Sequence, residues 1–299
     1  MQRLKLNKTM KKIRKRKMIN NVQDGKYYER FDPALRIMHL FVIISFLTLA
    51  FTGTTIKFSG VGIFQTISKL MGGYQVTGFM HRVAAIITFG YFFAHLAYVF
   101  YLKRKEGKPL RYFLAGDSSL VPNKNDLREY FQTIKWFLGR GKRPAYGKWT
   151  YWEKFDYFAV FWGVAIIGAS GLLLWFPEFF TQLGVPGLII NIATIIHSDE
   201  ALLATGFIFT VHFFNTHFRP DKFPMDKVIF IGSIPVEELK KDRPKLYKEL
   251  LESGELEKHL VDPPSKRFLI AVKVFGLSAL ATGIIFIILI IYSMIFLYQ

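Results

Sequence analysis

The sequence predicts an all-α, polytopic membrane helix bundle, and three observations carry that prediction. Five apolar blocks, Ala34–Ile56, Gly78–Tyr101, Phe155–Phe176, Ile189–Thr216 and Phe268–Leu297, are each about as long as the roughly 20 residues a bilayer span needs. The segments between them alternate between strongly basic and nearly uncharged. Six of the 7 histidines lie in or at the ends of apolar blocks, where an ionisable side chain is costly.

Composition narrows the class further. Hydrophobic residues make up 51% of the 299, with 31 Phe, yet 40 Lys+Arg stand against 22 Asp+Glu. A soluble chain this basic suggests nucleic acid; the apolar blocks direct the basic charge to a membrane surface instead. The chain has 0 Cys, which excludes disulfides, thiolate-held iron–sulfur clusters and covalent c-type haem attachment.

In chain order, residues 1–33 form a basic segment whose run Met1–Lys17 reads as a solvated tail near anionic head groups. The first block runs over 20 residues and lacks an A-x-A site, so it reads as a retained span rather than a signal peptide. Lys and Arg number 11 before the first block, 2 in 57–77, 13 in 102–154, none in 177–188 and 11 in 217–267. The positive-inside rule then predicts a cytoplasmic N-terminus and cytoplasmic loops 102–154 and 217–267. An odd number of spans puts Gln299 outside. Residues 34–216 form a four-helix core and 268–299 a fifth span. Asp126–Leu138 has the apolar spacing of an amphipathic surface helix, and Val236–Leu251 is similar, with Pro235 near its start.

The histidines carry the chemistry. His81 and His95 are 14 residues apart, close to four turns, so they share a face at an axial separation of roughly 21 Å. His197 and His212, 15 apart, share a face to within about 60°. If both helices run outside to inside, His81 and His197 lie at one depth and His95 and His212 at another. Two stacked b-type haems, each between helices two and four, satisfy this spacing. Two axial imidazoles fill the coordination of iron and suit electron transfer rather than oxygen chemistry. The inner site has more candidates than places, because His39 on helix one shares its depth. His217 lies one turn nearer the cytoplasm and faces roughly 140° from His212; a third haem, a quinone pocket and a plain interfacial role all remain open for it.

Arg36 and Arg82 are placed to meet haem propionates, or to snorkel to the interface. Gly53, Gly90, Gly168, Ala169, Ser170, Gly171 and Gly206 would admit a macrocycle or a neighbouring helix. Asp199 and Glu200 read as capping the start of helix four, with proton exchange with a quinol as the alternative.

The segments RIMHLFVIISFLTLAFTG (Arg36–Gly53), GFMHR (Gly78–Arg82), IIHSDEALLA (Ile195–Ala204) and RPKLYKELLESG (Arg243–Gly254) resemble the bacterial di-haem cytochromes b, such as the gamma subunit of formate dehydrogenase. The resemblance implies one haem held by His81 and His197 near the outer face. It implies a second held by His39 and His212 near the inner face, with a quinone pocket beside it. His95, His217, the 15-residue His197–His212 interval and the fifth helix depart from the formate dehydrogenase subunit and look more like a branch that partners multihaem c-type cytochromes. The expected function is quinone-linked electron transfer across a bacterial cytoplasmic membrane, as a subunit of an oxidoreductase complex. With no cysteine of its own, the chain needs an extracytoplasmic partner carrying c haems or iron–sulfur clusters. The rivals are a haem-free membrane anchor and a transporter relaying protons through its histidines.

Overall fold

The computed structural model describes residues 25–107, 109–115 and 119–296. The run Met1–Lys17 and the terminal Gln299 lie outside them. Five helices are long and apolar enough to cross a membrane. These are α1 (Pro33–Lys57), α2 (Tyr74–Glu106), α3 (Tyr151–Trp175), α4 (Gly187–Phe207, continued by π-helical turns Ile208–His212 and Phe214–Phe218) and α5 (Lys266–Phe296). The all-α, five-span bundle is therefore the fold observed.

The helix starts follow local chemistry. Asp32 caps α1 by accepting from the Leu35 amide at 3.1 Å, with Pro33 in the first turn where a missing N–H costs nothing. Thr150 and Glu153 form a reciprocal capping box at the start of α3. Within α1 the hydroxyls of Thr48, Thr52 and Thr55 bond back to carbonyls four residues earlier, which satisfies them without water.

Packing divides the bundle into two helix pairs, α1 on α2 and α3 on α4, joined by contacts between α1 and α4. The fifth helix lies against α1 and the π-helical part of α4. There Ala50, Phe209, Phe213, Val272, Leu280 and Phe286 form an apolar core. The outward faces carry exposed Phe41, Phe93, Phe158, Trp162, Leu203 and Ile288, as a lipid-facing surface requires.

At one end, hereafter the basic end, the long loops build a cap that the sequence did not suggest. Strand β1 (Tyr27–Glu29) pairs antiparallel with β2 (Ser233–Pro235) on one side and β3 (Leu260–Val261) on the other. Beneath it Val228, Ile234, Leu239, Leu246 and Leu256 form a second core. The expected amphipathic helix is present as Lys124–Phe137, capped by Asn123. It buries Asp126, exposes Leu127, Phe131 and Phe137, and is tied to α3 by Lys154, which meets Asp126 at 2.8 Å. The pattern over Val236–Leu251 is two helices, Val236–Asp242 and Pro244–Ser253. Pro244 disfavours helical geometry at Arg243, which breaks the run there.

One expectation is overturned. Asp199 and Glu200 do not cap the start of helix four, because α4 begins at Gly187, twelve residues before Asp199. The apolar run is helical from its first residues, so the acidic pair falls well inside the helix. Asp199 instead reaches Lys57 at the end of α1, at 3.1 Å.

Candidate functional site

Away from the basic end, His81 on α2 meets His197 on α4. Their ring centroids are 6.1 Å apart with planes at 74°. Metal–imidazole bonds of roughly 2 Å on opposite sides of one iron put two ring centroids roughly 6 Å apart, so the pair has the separation of two axial ligands.

Hydrogen bonds set the protonation of both rings. The Thr52 hydroxyl donates to the Thr48 carbonyl at 2.6 Å, so its oxygen accepts from His81 Nδ1–H at 2.9 Å. His197 Nδ1 lies 2.9 Å from the Ile167 carbonyl, which can only accept. Both rings thus carry their proton on Nδ1 and keep the Nε2 lone pair free, the form a metal needs. Helix backbones come unusually close here. A Cβ on Gly53 would stand 3.2 Å from His81 Cε1, and one on Gly171 would stand 2.9 Å from His197 Cε1.

Towards the basic end, His212 is held differently. Its Nδ1 lies 2.8 Å from Asp156 Oδ2, and a carboxylate there again leaves Nε2 free. His39 on α1 lies within electrostatic reach of His212 and His217 and sets its ring edge-on to Phe230. The π-helical turn Ile208–His212 explains how His212 reaches this position. A π turn holds more residues per turn than an α turn. It therefore rotates His212 back toward the line of His197, offsetting the angle of about 60° that fifteen α-helical residues would leave.

The other two histidines are engaged in ways that occupy the nitrogens concerned. His217 Nδ1 accepts from the Asp226 amide at 3.2 Å, so its proton sits on Nε2 and that nitrogen is a donor. Its ring lies 6.3 Å from that of His212, but both belong to one helix terminus and cannot embrace a macrocycle between them. His95 Nε2 is bonded to the Tyr157 hydroxyl at 2.9 Å and packs beside Phe161 on α3. Its surroundings are therefore not those of His212.

Arg36 donates from Nε to the Phe230 carbonyl at 3.0 Å and lies over Phe268. Arg82 lies over the Trp175 ring at the other end. Neither has a carboxylate in ion-pair range among the described residues, so both guanidiniums remain available to an anionic group. Sequence reasoning missed Asp156, Thr52 and Tyr157, the residues that hold the rings. Asp156 did leave a signal, an acidic residue at the edge of an apolar block.

Among the described residues no three His, Asp or Glu side chains converge as a bare metal ion requires. His81, His197 and His212 each keep a free Nε2, and His81 faces His197, a donor set that suits an iron whose other ligands come from a macrocycle. The profile of the family described as prokaryotic cytochrome b561 matches residues 30–219. That range takes in α1 to α4 and all six histidines discussed above. No curated protein matches the chain.

Proposed function

The chain belongs to the prokaryotic cytochrome b561 family, a multi-pass bacterial membrane b-type cytochrome of electron transfer, and from that premise we propose that it links the quinone pool to a redox partner across the membrane. His81 and His197 hold one haem, and His39 and His212 hold a second nearer the basic end. The observation that carries this reading is the hydrogen bonding: His81, His197 and His212 each spend Nδ1 on a protein acceptor and keep Nε2 free.

Bound haem supplies one-electron chemistry, and the chain's own residues position and tune it. Thr52, the Ile167 carbonyl and Asp156 orient the rings. Arg82 and Arg36 are the cations within reach of propionates. His217, a donor at Nε2 beside His212, is suited to hold a quinone carbonyl, which favours a quinone pocket over a third haem for that residue. The basic end is cytoplasmic by its excess of Lys and Arg. The partner at the opposite face carries c-type haem or iron–sulfur clusters, since this chain has no thiol to hold them.

The test is the reduced-minus-oxidised spectrum of the purified full chain with haem quantified. Two b-type haems per chain are expected. His81→Ala and His197→Ala should each lose the same one, and His39→Ala and His212→Ala the other. Absence of a b-type band after expression with iron would falsify the reading.

A further inference from the structure

We propose that Asp156 tunes the basic-end haem, lowering its reduction potential through a charged hydrogen bond to His212. The proposal rests on the reading that His212 binds iron, and it deepens that reading by giving the two haems different electrostatic settings.

The three held rings differ in what holds them. His81 meets a hydroxyl and His197 a peptide carbonyl, both neutral. His212 alone meets a carboxylate, at 2.8 Å. Hydrogen bonds to an ionised partner are roughly twice as strong as neutral ones. A carboxylate on the far nitrogen of a ligating imidazole also makes that imidazole a stronger donor.

Asp156 has no other compensation. Its side chain is 15% exposed, it lies in the second turn of a spanning helix, and its Oδ1 is buried with no hydrogen-bond partner. No Lys or Arg pairs with it among the described residues, although cations are close in sequence and space. Lys154 is committed to Asp126 at 2.8 Å. Arg30 and Arg243 are committed to Glu153 at 2.6 and 2.9 Å. An anion left without a cation inside a membrane protein is expensive and marks a functional position. The positive charge that Asp156 would answer is therefore that of an iron held by His212. Ferric haem carries one positive charge more than ferrous haem. An anion next to the ligand stabilises the ferric state, so transfer of one electron to that iron becomes less favourable. The arginines of the basic end act in the opposite sense, and Asp156 offsets them.

The experiment is a spectroelectrochemical titration of the purified full chain, with haem content measured on the same sample. Asp156→Asn keeps the shape and a hydrogen-bond acceptor and removes the charge. It should leave both haems bound and raise one midpoint by at least a tenfold change in the reduction equilibrium, about 59 mV for one electron. The other midpoint should stay in place. Asp156→Glu should stay near the native value. Asp156→Ser, a second neutral acceptor, carries the same expectation as Asp156→Asn should the latter fail to assemble. Thr52→Val, at the other haem, should leave the Asp156-sensitive midpoint unmoved. Two bound haems with unmoved midpoints in the neutral variants would overturn the proposal while leaving the ligand assignment intact. Retention of both haems in His212→Ala would overturn the assignment itself.

Discussion

His197 is confined by the backbone beside it, and that confinement has a measurable consequence. Gly171 admits the ring only because it lacks a side chain, since a Cβ there would stand 2.9 Å from His197 Cε1. We expect Gly171→Val to displace the ring and reduce bound haem from the proposed two to about one per chain, read by haem extraction, while the far-ultraviolet helix signal stays native. Glu129, on the amphipathic helix at the basic end, supplies a second residue-scale prediction. Burial, with the neighbouring Asp126 adding to it, raises its carboxyl to about 7. An acid whose folded value is raised binds its proton more tightly folded than unfolded. Stability is thus lost as pH rises from the ordinary carboxylate range, near 4.5, through 7. Glu129→Gln should raise the melting temperature at pH 8 relative to the native chain and have little effect at pH 4. A gain of equal size at both pH values would refute the electrostatic cause. The histidines themselves are legible in the sequence because an imidazole in an apolar run is conspicuous. Their holders are not. Thr52 looks like every other threonine on α1, and the Ile167 carbonyl has no sequence signature at all.

At the scale of the element, helix existence is readable from apolar length, but two features of α4 and α5 are not. Residue counting assumes an α-helix throughout, so the π-helical turns at Ile208–His212 and Phe214–Phe218 are invisible to it, and with the first of them the true direction of His212. Capping chemistry likewise misled at Asp199, whose acidic character near a presumed helix start has another partner, Lys57. The fifth helix is recognisable as a span, but its seat is set by close approach. At Gly283 a Cβ would fall 2.7 Å from both Phe209, in the first π-helical turn, and Phe213, just after it. Overpacking of this kind typically costs about 1–3 kcal/mol. Gly283→Leu should therefore lift α5 from α4, lowering the melting temperature and exposing the 266–296 region to protease cleavage. Because Phe209 and Phe213 flank His212, the same variant should also shift the midpoint of the haem proposed at His212 more than that of the one proposed at His81 and His197.

The whole molecule has two unlike ends, and the asymmetry follows from charge. At the basic end Glu153 joins Arg30 of the N-terminal segment, at 2.6 Å, to Arg243 of the last loop, at 2.9 Å. Two distant stretches of chain are thereby clamped onto the start of α3, under the sheet in which β1 lies between β2 and β3. None of this long-range pairing has a local sequence pattern, which explains why the cap went unread while the charge alternation was plain. The opposite end carries only short connections and no Lys or Arg in 177–188. The positive-inside rule predicts an orientation from that difference, and the absence of native cysteine allows the prediction to be measured directly. Lys142 and Gln182 are exposed, in the loops at the basic end and the opposite end respectively. In intact cells of a bacterium with a permeabilised outer membrane, Gln182→Cys should react with a membrane-impermeant maleimide and Lys142→Cys should not. In inverted vesicles the pattern should reverse. Labelling of Lys142→Cys from outside would place the Asp156–His212 end on the extracytoplasmic side, and the proposed quinone and partner faces would exchange places with it.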